Sequence, residues 1–187
     1  MRSLTNADWY LIRGTGVVTL ILFTLVVGLG IATTKRWRLP RLPRFVTLGL
    51  HRNLSLLAVV FLGVHIVTSM LDSYAHVGIA QIFLPVGTTR YGAFLGLGAL
   101  SFDLMLAVVV TSLLRHRIGH RLWKSVHWLA YVSWPVALAH AAGIGTDSHA
   151  GWFVDTAVAC TALVGAAVAW RVFELRRPYP KYLGAAS

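Results

Sequence analysis

Acidic side chains are scarce in this sequence, six in 187 residues, and charged residues of both signs make up only 12%. Soluble domains carry about 25%, so the composition excludes an ordinary water-facing surface. The lone cysteine, Cys160, excludes an intrachain disulfide. There is no G-x-G-x-x-G, no P-loop, no low-complexity segment and no stretch that reads as a separate soluble domain. A cleaved signal peptide is not expected either, because Arg13 interrupts the first apolar run and no clear A-x-A site follows it.

What is abundant is apolar. Hydrophobic residues make up 57% and the mean hydropathy is +0.69. Five runs are each long enough to cross a bilayer: about 9–33, 54–71, 91–114, 126–142 and 152–172. In lipid they must be helices, since an open sheet leaves backbone groups without partners. The expectation is an all-α, single-domain integral membrane bundle of five transmembrane helices.

The net charge of +11 raises the question of nucleic acid, and its distribution answers it. Lys35, Arg36, Arg38, Arg41 and Arg44 follow the first run; Arg115, Arg117, Arg121 and Lys124 follow the third; Arg171, Arg176, Arg177 and Lys181 follow the fifth. Alternating spans put all of these on one side. The other side holds Arg2, Arg90, Asp8, Asp72, Asp147 and Asp155. This positive-inside asymmetry predicts an outer N-terminus and a cytoplasmic C-terminus. Anionic lipid headgroups, not nucleic acid, are the expected partner of the arginines. Trp9 and Trp152 at outer ends, with Trp37, Trp123 and Trp170 at inner ends, fit an aromatic belt.

Four histidines fall within or beside the apolar runs, as two pairs: His51 with His65, fourteen residues apart, and His127 with His140, thirteen apart. An imidazole in lipid is costly and marks a functional site, and imidazole is a favoured axial ligand of haem iron. One intervening span makes the two His-bearing helices parallel. Depth then matches His51 with His127 near the cytoplasmic face, and His65 with His140 toward the outer face. At about 1.5 Å per residue each helix separates its two histidines by roughly 20 Å.

Helical phase tests this pairing. At about 100° per residue, His65 lies within roughly 40° of His51, with Ala58 between them on the same face. His140 lies about 140° from the phase of His127 on a straight helix. Pro135 stands between the two, and an irregularity there is expected to re-aim His140. Trp134, seven residues from His127, either packs between two haem planes opposite Ala58 or fills the bundle core.

The segments HRNLSLLAVVFLGVH and HWLAYVSWPVALAH, joined by one span, resemble the ferric reductase-like transmembrane domain family. That family includes ferric reductases, NADPH oxidases and the haem subunit of the bacterial methionine sulfoxide reductase system. The likeness runs from LIRGTGVV in the first span to the fifth span. It implies two stacked b-type haems, the inner on His51 and His127 and the outer on His65 and His140. It also aligns Arg13 with an arginine close to the outer haem, where a propionate would be its partner; headgroup snorkelling is the other reading. Asp103, near the middle of the third span, pairs with Arg13, accepts hydrogen bonds from the bundle or stays protonated.

The departures bound the inheritance. Oxidases and eukaryotic reductases continue into a domain binding FAD and NADPH. Here about fifteen residues follow the last run, so the expected donor is a separate flavoprotein, supplying any flavin, or quinol. Ser69 stands where the oxidases have a further histidine, which argues against oxygen reduction at the outer haem. The additional N-terminal span of the eukaryotic oxidases has no counterpart here. His116 and His120 read as solvated or lipid-facing in a basic interfacial segment, and His76 and His149 as candidates for an outer-side site. Tyr74–Val86 reads as interfacial, or as a cover over the bundle.

The sequence therefore predicts transmembrane electron transfer to ferric iron, an outer flavoprotein or molecular oxygen, in a plasma membrane whose compact build suggests a bacterium. A haem-free metal or proton transporter, and a structural docking subunit of a redox complex, are the alternatives.

Overall fold

The computed structural model describes residues 6–32, 43–71, 77–84, 92–144 and 147–176. Within them the regular structure is all helical: α1 (Asn6–Ala32), α2 (Arg44–Leu71), α3 (Ile79–Phe83), α4 (Gly92–Leu113), α5 (Arg115–Ile118), α6 (His120–His127), α7 (Leu129–Ile144) and α8 (Gly151–Arg176). Four of these, α1, α2, α4 and α8, are long and apolar enough to cross a membrane. Large apolar side chains stand exposed along them, among them Leu56, Val60, Val67, Val158 and Phe173. A water-soluble fold would bury such side chains; a lipid-facing one displays them.

Three boundaries differ from the predicted spans. Helix α2 begins ten residues early, at Arg44, so His51 lies two turns inside a helix rather than ahead of one. The 126–142 run is split: α6 ends at His127, Trp128 forms a turn, and α7 has 16 residues. At about 1.5 Å per residue that is roughly 24 Å, short of a hydrocarbon core about 30 Å thick. Short helices α5 and α6 occupy what reads in the sequence as a basic linker. They join at Gly119, whose φ of 79° is a left-handed conformation that glycine adopts without a Cβ clash.

The bundle is built from two antiparallel pairs, α1 with α2 and α4 with α7, with α8 on the back of α1 and α3 on α4. Helix α1 is the hub and also touches α7. It supplies Leu20, Leu22, Phe23, Val27 and Ile31 to the buried core, which closes on Trp134 of α7 and Cys160 of α8. Its threonines carry no unmet polarity into that core. Thr15, Thr19 and Thr24 return their hydroxyls to the carbonyls of Leu11, Thr15 and Leu20 at 2.7–2.8 Å. Between α4 and α7, buried Ser101 and Ser133 each donate to the other's backbone carbonyl, at 3.1 and 2.9 Å. Small hydroxylated residues let two helices approach closely and tie them where no water competes.

Candidate functional site

Helix α2 carries His51 and His65, while His127 ends α6 and His140 stands on α7; α2 is not among the close-packing partners of α6 or α7. The imidazoles project into the interval between them. At the basic end of the bundle, His51 and His127 face one another with ring centroids 6.4 Å apart and planes at 63°. Toward the opposite end, His65 and His140 line one cavity of about 310 Å³, walled mainly by apolar side chains such as Leu20, Phe23, Ile66 and Met105. That volume lies in the range of small-molecule sites, about 300–1,000 Å³.

Hydrogen bonding fixes which nitrogen of each ring is basic. His51 donates its Nδ1–H to the Val26 carbonyl at 3.1 Å, His65 to Ile12 at 3.0 Å and His140 to Phe94 at 2.8 Å. A carbonyl can only accept, so Nδ1 holds the proton in all three and Nε2 carries the free lone pair. Metal-binding histidines are oriented in this way. His127 differs: its Nδ1 is buried and, among the described residues, has no hydrogen-bond partner. Its ring lies against Trp123 instead, with centroids 5.1 Å apart and planes at 32°.

Spacing then says what two such rings can hold. With imidazole–metal bonds of about 2 Å and about 1.1 Å from ring centre to nitrogen, two rings sharing one ion lie about 6.3 Å apart. The 6.4 Å between His51 and His127 meets that requirement. No group of three or more His, Cys, Asp or Glu side chains converges among the described residues. Two imidazoles at this spacing would supply at most two ligands to an ion, and a complete coordination sphere would need donors from elsewhere.

The cavity is bordered at its far end by charge and aromatic rings. Arg13 forms an ion pair with Asp147 of the turn between α7 and α8. The guanidinium also sits 3.7 Å from the centre of the Trp9 ring, one turn earlier in α1. Among the described residues Asp147, and not Asp103, is the acid that meets Arg13; Asp103 is half-buried on α4. Trp152 and Phe153 complete the mouth, and α3 covers the flank with Gln81 and Ile82.

Other expected residues fall as follows. Trp134 is buried in the core cluster and donates its indole N–H to Thr24 Oγ1 at 2.9 Å. It stands seven residues from His127 and six from His140, and packs with Phe23, Val27 and Ile31 of α1 and Cys160 of α8. Ala58 is fully buried on α2. His149 is exposed in the turn and is not part of the cavity wall, and His116 and His120 are exposed. His76 lies outside the described residues.

The irregularity assigned to Pro135 is found elsewhere. Helix α7 runs through Pro135 without interruption, and the break is at Trp128. There the Trp128 N–H reaches back to Ser125 at 3.3 Å and the Tyr131 N–H to Trp128 at 3.0 Å, both three-residue steps. Such winding advances each residue by about 20° more than an α-helix, and over one to two turns it recovers much of the 140° offset. Asp147 and Gln81 went unrecognised as site residues. An apolar stretch containing one amide was the only local signal for Gln81, and nothing local marks Asp147.

No family model, curated protein or solved structure matches the chain.

Proposed function

We propose that this protein is a five-span membrane cytochrome that holds two b-type haems and conducts electrons across the bilayer. When bound, such haems supply reversible one-electron redox chemistry. The inner haem is assigned to His51 and His127 and the outer haem to His65 and His140, as in the ferric reductase-like proteins that the sequence resembles.

The observation that carries this reading is the facing of His51 and His127 at 6.4 Å, with the Nδ1–H of His51 tied to a backbone carbonyl. A planar macrocycle brings four equatorial donors of its own, so two protein ligands complete it. A bare metal ion in transit is left short on the same pair, since tetrahedral sites want four protein ligands or nearly so. The transporter reading therefore receives less support. The residues have distinct tasks: the four histidines bind, the carbonyls of Ile12, Val26 and Phe94 orient, and Trp134 with its core cluster keeps the interior dry.

The fifth span is α7 completed by α6, with the basic segment Arg115–Lys124 on the cytoplasmic face and the N-terminus outside. A separate flavoprotein or quinol supplies electrons, anionic lipids face the arginines, and an outer acceptor such as ferric iron or a flavoprotein receives the electrons. Expression with adequate haem, purification and reduction should give b-type absorption bands and two haems per chain. His65→Ala or His140→Ala should remove the outer haem and spare the inner one. A colourless wild-type preparation overturns the proposal, and loss of both haems or neither overturns the depth assignment.

A further inference from the structure

Three of the four imidazoles are seated by one repeated backbone device. The carbonyls that accept Nδ1–H belong to Ile12, Val26 and Phe94, and four residues after each stands a glycine: Gly16, Gly30 and Gly98. A Cβ at each of these glycines would meet the very ring that its carbonyl holds. It would lie 2.6 Å from both Cε1 and Nδ1 of His140 at Gly98, and 3.0 and 3.2 Å from those atoms of His65 at Gly16. At Gly30 the distances to His51 are 3.4 and 3.8 Å. In all three the same edge of the ring, Cε1–Nδ1, lies over the glycine.

Helix geometry explains the register. A helical carbonyl gives one lone pair to the N–H four residues on and keeps the other. Every Cα–Cβ bond leans toward the helix N-terminus, so the Cβ at position i+4 leans over carbonyl i and obstructs a second donor. Glycine leaves the carbonyl bare. On α1 the two glycines are fourteen residues apart, matching the spacing of His51 and His65 on the antiparallel α2.

The fourth histidine has no such seat. Thirteen residues along α4 from Gly98, as His127 is thirteen from His140, stands Thr111. Its hydroxyl takes the carbonyl four residues earlier, Ala107, at 2.7 Å. The ring of His127 rests on Trp123, which is pinned through its indole N–H to Ser112 Oγ at 3.2 Å.

We propose that Gly16 and Gly98 are positioning residues that bare a carbonyl to orient one imidazole each, fixing both histidines of the outer haem; at Gly30 a Cβ would make only ordinary contact with His51. This rests on the haem assignment above. The test uses purified holoprotein, haem content, and the low-spin signals of the two haems by electron paramagnetic resonance. Gly98→Ala should lose the outer haem or convert it to high spin, reducing two low-spin signals to one with the inner signal unmoved. Gly16→Ala should displace the same outer signal and carries the test if Gly98→Ala fails to assemble. Gly30→Ala, whose Cβ would make only ordinary contact with His51, should fold and leave both signals in place. Gly14→Ala and Gly165→Ala, where nothing lies within 4 Å, should match wild type. Wild type with two haems, together with an unaltered outer signal in Gly98→Ala or Gly16→Ala, overturns the inference. Haem-free wild type instead overturns the assignment on which it rests.

Discussion

Arg13 shows how much a single residue announces and how little it names. An arginine a turn into an apolar helix requires an anion, and that much is legible from its neighbours in the sequence. Its partner, Asp147, is 134 positions away, on the turn after α7. The pair is partly shielded, with side chains 18% and 31% exposed, and rests on the Trp9 ring. Partial burial puts its value between that of surface pairs and buried ones. Arg13→Gln or Asp147→Asn alone should cost about 1–3 kcal/mol of stability. The double variant should lose clearly less than the sum, as groups in contact are coupled. Thermal unfolding in mild detergent measures this, and strictly additive losses would show that the pair does not cooperate.

Among the elements, the segment from α6 to α7 determines whether His127 and His140 can serve the same neighbour. Their thirteen-residue spacing conflicts with a straight helix, which is visible in the sequence. Proline is the obvious breaker, yet α7 accommodates Pro135 and the tight winding falls at Trp128. Propensity did not mark that residue, because tryptophan is no breaker; the turn forms where α6 leaves the basic surface and α7 enters the bundle. Pro135→Ala should therefore keep both haems. One alanine inserted between Trp128 and Leu129 turns His140 by about 100° and should release the outer haem while the inner remains. Haem content per chain reads out both. Loss of the outer haem in Pro135→Ala, or its survival in the insertion, would return the control point to the proline.

For the whole molecule, the proposed sidedness rests on the distribution of charge. The basic residues of α5 and α6 are exposed at one end, and His149 is exposed at the other. Cys160 is the only cysteine and is buried against α1, so it is a poor target for thiol reagents in the folded protein. In a Cys160→Ala background, His149→Cys should react with a membrane-impermeant maleimide added outside intact cells. Lys124→Cys should react only after permeabilisation. The opposite pattern would turn the molecule over in the membrane.

Composition and periodicity suffice for the membrane class, the helical fold, the rough position of the long helices and the four histidines, because each is a local or averaged property of the chain. Lipid demands apolar length and satisfied backbone, and both can be read one segment at a time. Which carbonyl turns which imidazole, which acid meets Arg13 and where α7 begins depend on residues tens to more than a hundred positions apart. Those choices are made only when α1 packs on α2 and α4 on α7. The four histidines are written in the sequence; the backbone carbonyls that aim three of them, and the tryptophan that supports the fourth, come from the packing of helices.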